Sequence, residues 1–90
     1  MNFNMNNFNA PLLKSKNILL TFIIKGKQLF WESDQNETFQ TIISKLENKY
    51  NYLKNIKNKV YYYNNNQIIQ TQYTLKQLNI PDNSVIYIMS

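Results

Sequence analysis

The chain has 90 residues, which is enough for one small domain with a single core. It contains no Cys and no His, which removes disulfides, thiolate chemistry, the commonest general base and the commonest metal ligand. The net charge is +5, and all ten cations are lysines spread along the chain. No segment approaches the ~20 apolar residues that a membrane-spanning helix requires. We therefore expect no cofactor, no metal ion and no transmembrane segment.

Residues 1–16 show neither a helical nor a strand period and are rich in Asn. A segment of this composition has too little apolar surface to fold alone, so we predict an extended N-terminal tail before a domain over residues 17–90. The tail has no apolar run long enough for a secretory signal peptide, and it lacks the Arg that organelle-targeting segments favour. Its apolar side chains are candidates for docking on a partner: Phe3, Met5, Phe8, Leu12 and Leu13.

The next segment predicts a β-hairpin. Asn17 to Ile24 is typical of a strand with apolar residues on both faces, and Gln28 to Ser33 predicts the return strand. Gly26, the only Gly in the chain, lies between them and suits the positive φ of a hairpin turn. Alternation places Trp31 on the same face as Leu29, where it could anchor an interface or cover the sheet edge.

A polar loop over residues 34–37 leads to the clearest periodic signal in the chain. Thr38 suits the N-cap position of a helix. The apolar residues that follow recur at helical spacing: Phe39, Ile42, Ile43, Leu46 and Tyr50. This stripe predicts one amphipathic helix that ends near Asn51.

The second half predicts shorter elements. A connector with Leu53 and Ile56 as apolar plugs leads to a strand over residues 60–63. Asn64, Asn65 and Asn66 predict a turn, because Asn tolerates left-handed φ, and a short strand over residues 67–69 follows.

The chain then predicts a capped turn and a closing strand. Thr74 caps a short helical turn through Leu78, Pro81 ends it, and Ser84 to Met89 forms the last strand. A mixed sheet packed on one helix buries these faces most economically, so the predicted fold class is α+β.

This order of elements resembles the β-grasp of the ubiquitin-like superfamily over residues 17–90. Ile24-Lys25-Gly26-Lys27 resembles the first hairpin turn of that family, and Thr38-Phe39 with the apolar spacing after it resembles the helix start. Thr74-Leu75 and Leu78-Asn79-Ile80 resemble the late short helix, and residues 84–89 match the closing strand. The resemblance implies a four- to five-stranded mixed sheet on one main helix, plus a short late helix. It also implies a protein that other proteins hold, rather than a catalyst.

Two departures from the family pattern bear on function. Conjugatable members end in a flexible Gly-Gly tail, whereas this chain stops at Ser90 with no Gly after Gly26, so we expect no attachment through its C-terminus. The family also has an apolar recognition patch on the sheet face away from the helix. By position its members here would be Ile24, Tyr62 and Met89, with Tyr87 beside them. Because the patch differs in identity, generic ubiquitin receptors should bind it poorly.

Other functional patterns are weak. Tyr61-Tyr62-Tyr63 could stack nucleic-acid bases, but alternate tyrosines of a strand also face core and surface, and scattered lysines without Arg form a weak footprint. The acidic residues Glu32, Asp34 and Glu37 do not have the spacing of a calcium loop, which favours solvated loop charges. Ser and Thr have no His to activate them, and there is no Gly-rich phosphate loop, so we expect no enzyme.

We therefore hypothesise a non-catalytic ubiquitin-like protein that is a small structural or adaptor subunit of a larger multiprotein assembly. Its partners would be other protein subunits, with no small-molecule substrate. They would contact the tail and the sheet patch. One alternative is a free, non-covalent ubiquitin-like regulator, as in splicing or degradation, and a less favoured one is a basic nucleic-acid-binding module. We expect an intracellular protein, cytoplasmic or organellar (mitochondrial) as part of a complex.

Overall fold

The computed structural model describes residues 17–90, which form one sheet and one main helix. In chain order the elements are β1 (Asn17–Ile24), β2 (Lys27–Asp34), α1 (Phe39–Lys49), a 3₁₀ helix (Asn51–Asn55), β3 (Val60–Tyr63), β4 (Asn66–Gln67) and β5 (Ser84–Met89). The strand order across the sheet is β2-β1-β5-β3-β4. β1 and β5 are parallel neighbours, and the other pairs are antiparallel. The first and last strands therefore lie side by side, which confirms the predicted mixed sheet.

The β1–β2 hairpin closes through a two-residue turn. Ile24 pairs with Lys27 across the strands, which leaves Lys25 and Gly26 between them. Both turn residues have positive φ, +48° at Lys25 and +80° at Gly26. Positive φ at both central positions matches the right-handed twist of the flanking strands, so the predicted role of Gly26 is confirmed.

The core lies between α1 and one face of the sheet. Alternate residues of β1 face the helix, and the side chains of Leu20 and Phe22 are fully buried. The predicted helical stripe meets them, with Phe39 at the centre: its ring centroid lies 6.5 Å from that of Phe22. Each large apolar side chain buried in this way contributes roughly 1.5–3 kcal/mol. α1 covers only this face, so the opposite face of the sheet is not covered by the helix.

The first turn of α1 has its backbone donors satisfied by two different means. The predicted N-cap is confirmed, because the Thr38 hydroxyl accepts from the N–H of Thr41 at 3.2 Å. The N–H groups of Phe39 and Gln40 donate to backbone carbonyls within residues 71–73, at 2.9 and 2.8 Å. The helix start is thereby tied to a segment far along the chain.

Two predicted boundaries shift in the structure. α1 ends at Lys49, and a 3₁₀ helix follows that places Leu53 in the core at 1% exposure. The short strand predicted over residues 67–69 covers Asn66–Gln67 instead, and Ile69 is 72% exposed. The hairpin between β3 and β4 requires this shift, since Asn64 and Asn65 alone have positive φ there and Asn66 already pairs with Tyr63.

The predicted short late helix is a single hydrogen-bonded turn. The N–H of Leu78 donates to the carbonyl of Thr74 at 2.9 Å, and the positive φ of Asn79, +59°, ends the turn. Thr74 and Gln77 also cap each other: the Gln77 amide oxygen accepts from the Thr74 N–H, and the Thr74 hydroxyl accepts from the Gln77 N–H. The backbone of Thr74 forms an isolated antiparallel β-bridge with Thr38, next to the start of α1.

Candidate functional site

The sheet face away from α1 is largely apolar and accessible. We call it the outer face, and its members are Leu19, Thr21, Ile23, Phe30, Tyr62, Val85, Tyr87 and Met89. These side chains alternate with the core-facing ones along β1, β2, β3 and β5. Phe30 is 55% exposed, Met89 53% and Tyr87 48%.

Strand register joins these side chains into rows across the sheet. Ile23 and Tyr62 both pair with Tyr87, so three strands contribute neighbouring side chains to one row. Thr21 pairs with both Phe30 and Val85 in the next row. Directly opposed Cβ atoms in a sheet lie about 4.5–5.5 Å apart, so the rows form a continuous apolar surface. Continuous apolar surface of this kind is typical of sites that bind other proteins.

Three residues of the predicted patch lie together on the outer face. Tyr62, Tyr87 and Met89 line a shallow cavity of about 390 Å³ together with Asn65. Tyr87 and Tyr62 are paired across β5 and β3, and Met89 pairs with Val60 further along the same strands. The arrangement offers aromatic and thioether surface with an Asn amide at its edge, which suits contact with an apolar side chain of another protein.

Ile24 does not belong to this surface, so its predicted place in the patch is wrong. It is 4% exposed and packs in the core beneath α1. The outward position is taken by Ile23, which pairs with Tyr87. An error of one residue along a strand moves a side chain to the opposite face of the sheet.

The sequence interpretation missed Phe30, Ile23 and Leu19 as members of the outer face. For β1 the sequence did contain a signal, because that strand has apolar residues on both faces, and Leu19 and Ile23 lie on the face away from the core. Their proximity to Val85 depends on the register between β1, β2 and β5, which no local pattern contains. The predicted docking residues of the tail lie outside the described residues: Phe3, Phe8, Leu12 and Leu13.

The three consecutive tyrosines do not share one surface. Tyr61 packs edge-on against Phe39, with ring centroids 5.4 Å apart, and Tyr63 also packs against the core. Burial raises the pKa of Tyr61 to about 12, with the nearby negative charge of Glu47 adding to the effect. Only Tyr62 faces outward, so the run does not form a stacking platform for bases.

Trp31 covers the sheet beside the helix C-terminus. It is half-buried against the core, and the Nζ atom of Lys49 lies 5.8 Å from the centroid of its ring. A cation over an aromatic face at this distance is favourable. The arrangement favours the interpretation of Trp31 as cover for the sheet edge over that of an interface anchor.

The acidic residues near α1 hold structural contacts. The carboxylate of Glu37 accepts from the hydroxyl of Ser33 at 2.8 Å and pairs with Lys45. Burial alone would raise the pKa of Glu37, but the hydrogen bonds from Lys45 and Ser33 outweigh it and leave that pKa below its usual value. Within residues 17–90, no three Asp or Glu side chains come close enough together to hold a metal ion.

The same part of the chain contains no helix with the length and apolar character needed to cross a membrane. No family model and no curated protein matches the sequence.

Solved structures match the fold closely. The ubiquitin-like domain of an Arabidopsis thaliana protein aligns with a TM-score of 0.64 and 22% identity, over 92% of this chain and 86% of that domain. A ubiquitin-like protein from Trypanosoma brucei aligns with a TM-score of 0.70 and 15% identity, over 84% and 96% of the two chains. Caldiarchaeum subterraneum ubiquitin gives a TM-score of 0.66 at 15% identity, over 83% and 94%. The chain therefore has the ubiquitin-like β-grasp fold.

Proposed function

We propose that this chain is a non-catalytic ubiquitin-like protein that acts as a small structural or adaptor subunit of a larger multiprotein assembly. The observation that supports the proposal is the outer face, where Phe30, Tyr87 and Met89 are each about half exposed. Exposure of large apolar side chains costs free energy in a monomer, and a partner that covers them recovers it. The partners are other protein subunits, and the setting is inside the cell, in the cytoplasm or in an organelle such as the mitochondrion.

The composition of the outer face suits a protein partner. Aromatic residues and Met are enriched in protein interfaces, and Lys is depleted at their centres. No lysine occupies an outward position of β1, β2, β3 or β5, although the chain has ten. A standard specific contact buries ~800 Å² per partner, which is an area that one face of a small sheet can supply.

Capture of the tagged protein from native extract at moderate salt, followed by size-exclusion chromatography, tests the proposal. We expect wild type to comigrate with one large complex in a fixed ratio. The double variant Phe30→Ser/Tyr87→Ser should elute at monomer size, because it removes two of the most exposed aromatic side chains of the outer face. Elution of wild type alone at monomer size would refute the subunit role.

The matched control replaces two other exposed large hydrophobic residues. Ile69 is 72% exposed and Tyr73 43%, and neither lies on the outer face. Ile69→Ser/Tyr73→Ser should therefore leave the complex intact. If both double variants dissociate, or neither does, the outer face is not the docking site. A large soluble pool with partners below a fixed ratio would instead support the free regulator.

A further inference from the structure

Acidic residues are concentrated at one end of the described domain. The β1–β2 hairpin runs from an open end, where Asn17 pairs with Asp34, to its turn at Lys25 and Gly26. Four of the five acidic residues of the chain lie toward the open end: Glu32, Asp34, Glu37 and Asp82. The fifth, Glu47, pairs with Lys59 at 3.2 Å. The turn end therefore has cations without matching acidic side chains.

The turn end brings lysines from separate elements around one aromatic ring. The Nζ atom of Lys27, at the start of β2, lies 5.1 Å from the ring centroid of Tyr52 in the 3₁₀ helix. Lys25 lies in the turn itself, and Lys54 and Lys57 follow Tyr52 closely along the chain. This cluster is separate from the outer face, because Lys25 lies in the hairpin turn and Lys27 lies at a core-facing position of β2.

A small cavity opens within this cluster. It has a volume of about 270 Å³ and is lined by Ile24, Lys25, Lys27, Tyr52 and Ile56. Ile24 and Ile56 are the two apolar side chains of the lining, and both pack against the core. The two lysines supply the cations. Sites for whole small molecules usually measure about 300–1,000 Å³, so this volume suits a single side chain.

We propose that this cavity binds an acidic segment of a partner protein, in which one apolar side chain is flanked by carboxylates. The apolar side chain enters between Ile24 and Ile56, and the carboxylates pair with the ammonium groups of Lys25 and Lys27. The charge separation along the hairpin orients such a segment toward the turn end and away from the acidic end. This contact goes beyond the outer face and does not depend on it.

The chemistry of the lining favours a protein segment over a nucleic acid. One face of the Tyr52 ring already holds the Lys27 ammonium group, so that face is not available for stacking on a base. The rest of the lining is two isoleucines and two lysines, and the chain has no Arg for bidentate contacts to phosphate or base edges. An aliphatic side chain with neighbouring carboxylates matches both parts of the site.

An NMR titration of the full ¹⁵N-labelled chain tests the proposal. The probe is the blocked heptapeptide DDELEDD, in about 50 mM salt, where exposed charges still act over more than 10 Å. We expect the amide signals of Gly26, Tyr52 and Ile56 to shift together. The matched peptide DDEAEDD should bind about threefold to tenfold more weakly, because it buries less apolar surface.

Two double variants with the same loss of charge provide the control. Lys25→Asn/Lys27→Gln should weaken binding about fivefold, as expected for two exposed ion pairs, and Asn tolerates the positive φ at position 25. Lys45→Gln/Lys76→Gln alters the opposite end and should leave binding unchanged within about twofold. Equal weakening by both variants, or no shift at about 5 mM peptide, would overturn the proposal. So would stronger binding of the oligonucleotide dT12 at the same signals, which would assign the cavity to nucleic acid.

Discussion

Tyr61 joins β3 to the helix through a partly buried ring. Its ring packs at 79° to that of Phe39, and burial, aided by the charge of Glu47, raises the pKa of its hydroxyl to about 12. A Tyr in the unfolded chain ionises near pH ~10, so the folded state favours the neutral phenol. The stabilisation is complete below pH ~10 and is lost as the pH rises from ~10 to ~12.

We predict that Tyr61→Phe removes this alkaline loss of stability. In wild type, ionisation of the Tyr61 hydroxyl should lower the free energy of unfolding by about 2 kcal/mol between pH ~9 and pH ~11.5, since one pKa unit corresponds to ~1.4 kcal/mol. Urea unfolding at about pH 9 and about pH 11.5, followed by circular dichroism, measures it. Tyr73→Phe, at a position 43% exposed, should keep the full loss. Equal losses in wild type and Tyr61→Phe would contradict this account.

At the scale of elements, the start of α1 depends on one local cap and one distant segment. We predict that Thr38→Ala destabilises the protein by about 1 kcal/mol, because it removes the acceptor for the Thr41 N–H. The loss stays near that value because residues 71–73 still accept from Phe39 and Gln40. Urea unfolding should show Thr38→Ser close to wild type. A Thr38→Ser variant as unstable as Thr38→Ala would mean that the threonine methyl group, not the cap, stabilises this site.

Elements with local signals could be predicted from the sequence. The α1 stripe, the cap at Thr38 and the positive φ of Gly26 each depend on residues within one or two turns of chain, and all are confirmed. The late helical turn was also predicted, but its bridge from Thr74 to Thr38 joins segments far apart in the chain and has no local signal.

Less of the candidate site could be predicted, because it depends on contacts between strands that are distant in the sequence. Alternation along β5 placed Tyr87 and Met89 on one face, and the resemblance to the ubiquitin-like family assigned that face to the side away from the helix. The prediction that Ile24 lies on the outer face was wrong, because the sequence did not show which side of β1 packs against α1. The position of Phe30 in one row with Thr21 and Val85 requires the register of three strands, which is set by tertiary packing.

At the scale of the whole molecule, the charge distribution predicts an effect of salt on stability. Cations at the turn end repel one another in the folded state, whereas the unfolded chain separates them. The ion pairs Lys45–Glu37 and Lys59–Glu47 act in the opposite sense, because salt weakens them. Exposed ion pairs usually contribute only 0.2–1 kcal/mol, so the net effect depends on which charges dominate.

We predict that repulsion at the turn end dominates, so that the free energy of unfolding rises by less than about 1 kcal/mol between about 0.02 and 0.3 M NaCl. Lys25→Asn/Lys27→Gln should lose most of the rise with salt, because it removes the two cations that line the cavity beside Tyr52. Lys45→Gln/Lys76→Gln should keep the rise or increase it, since it removes one ion pair and none of the cations at the turn end. Urea unfolding at the two salt concentrations measures all three proteins. A fall in stability with salt in wild type would mean that the two ion pairs outweigh the repulsion at the turn end.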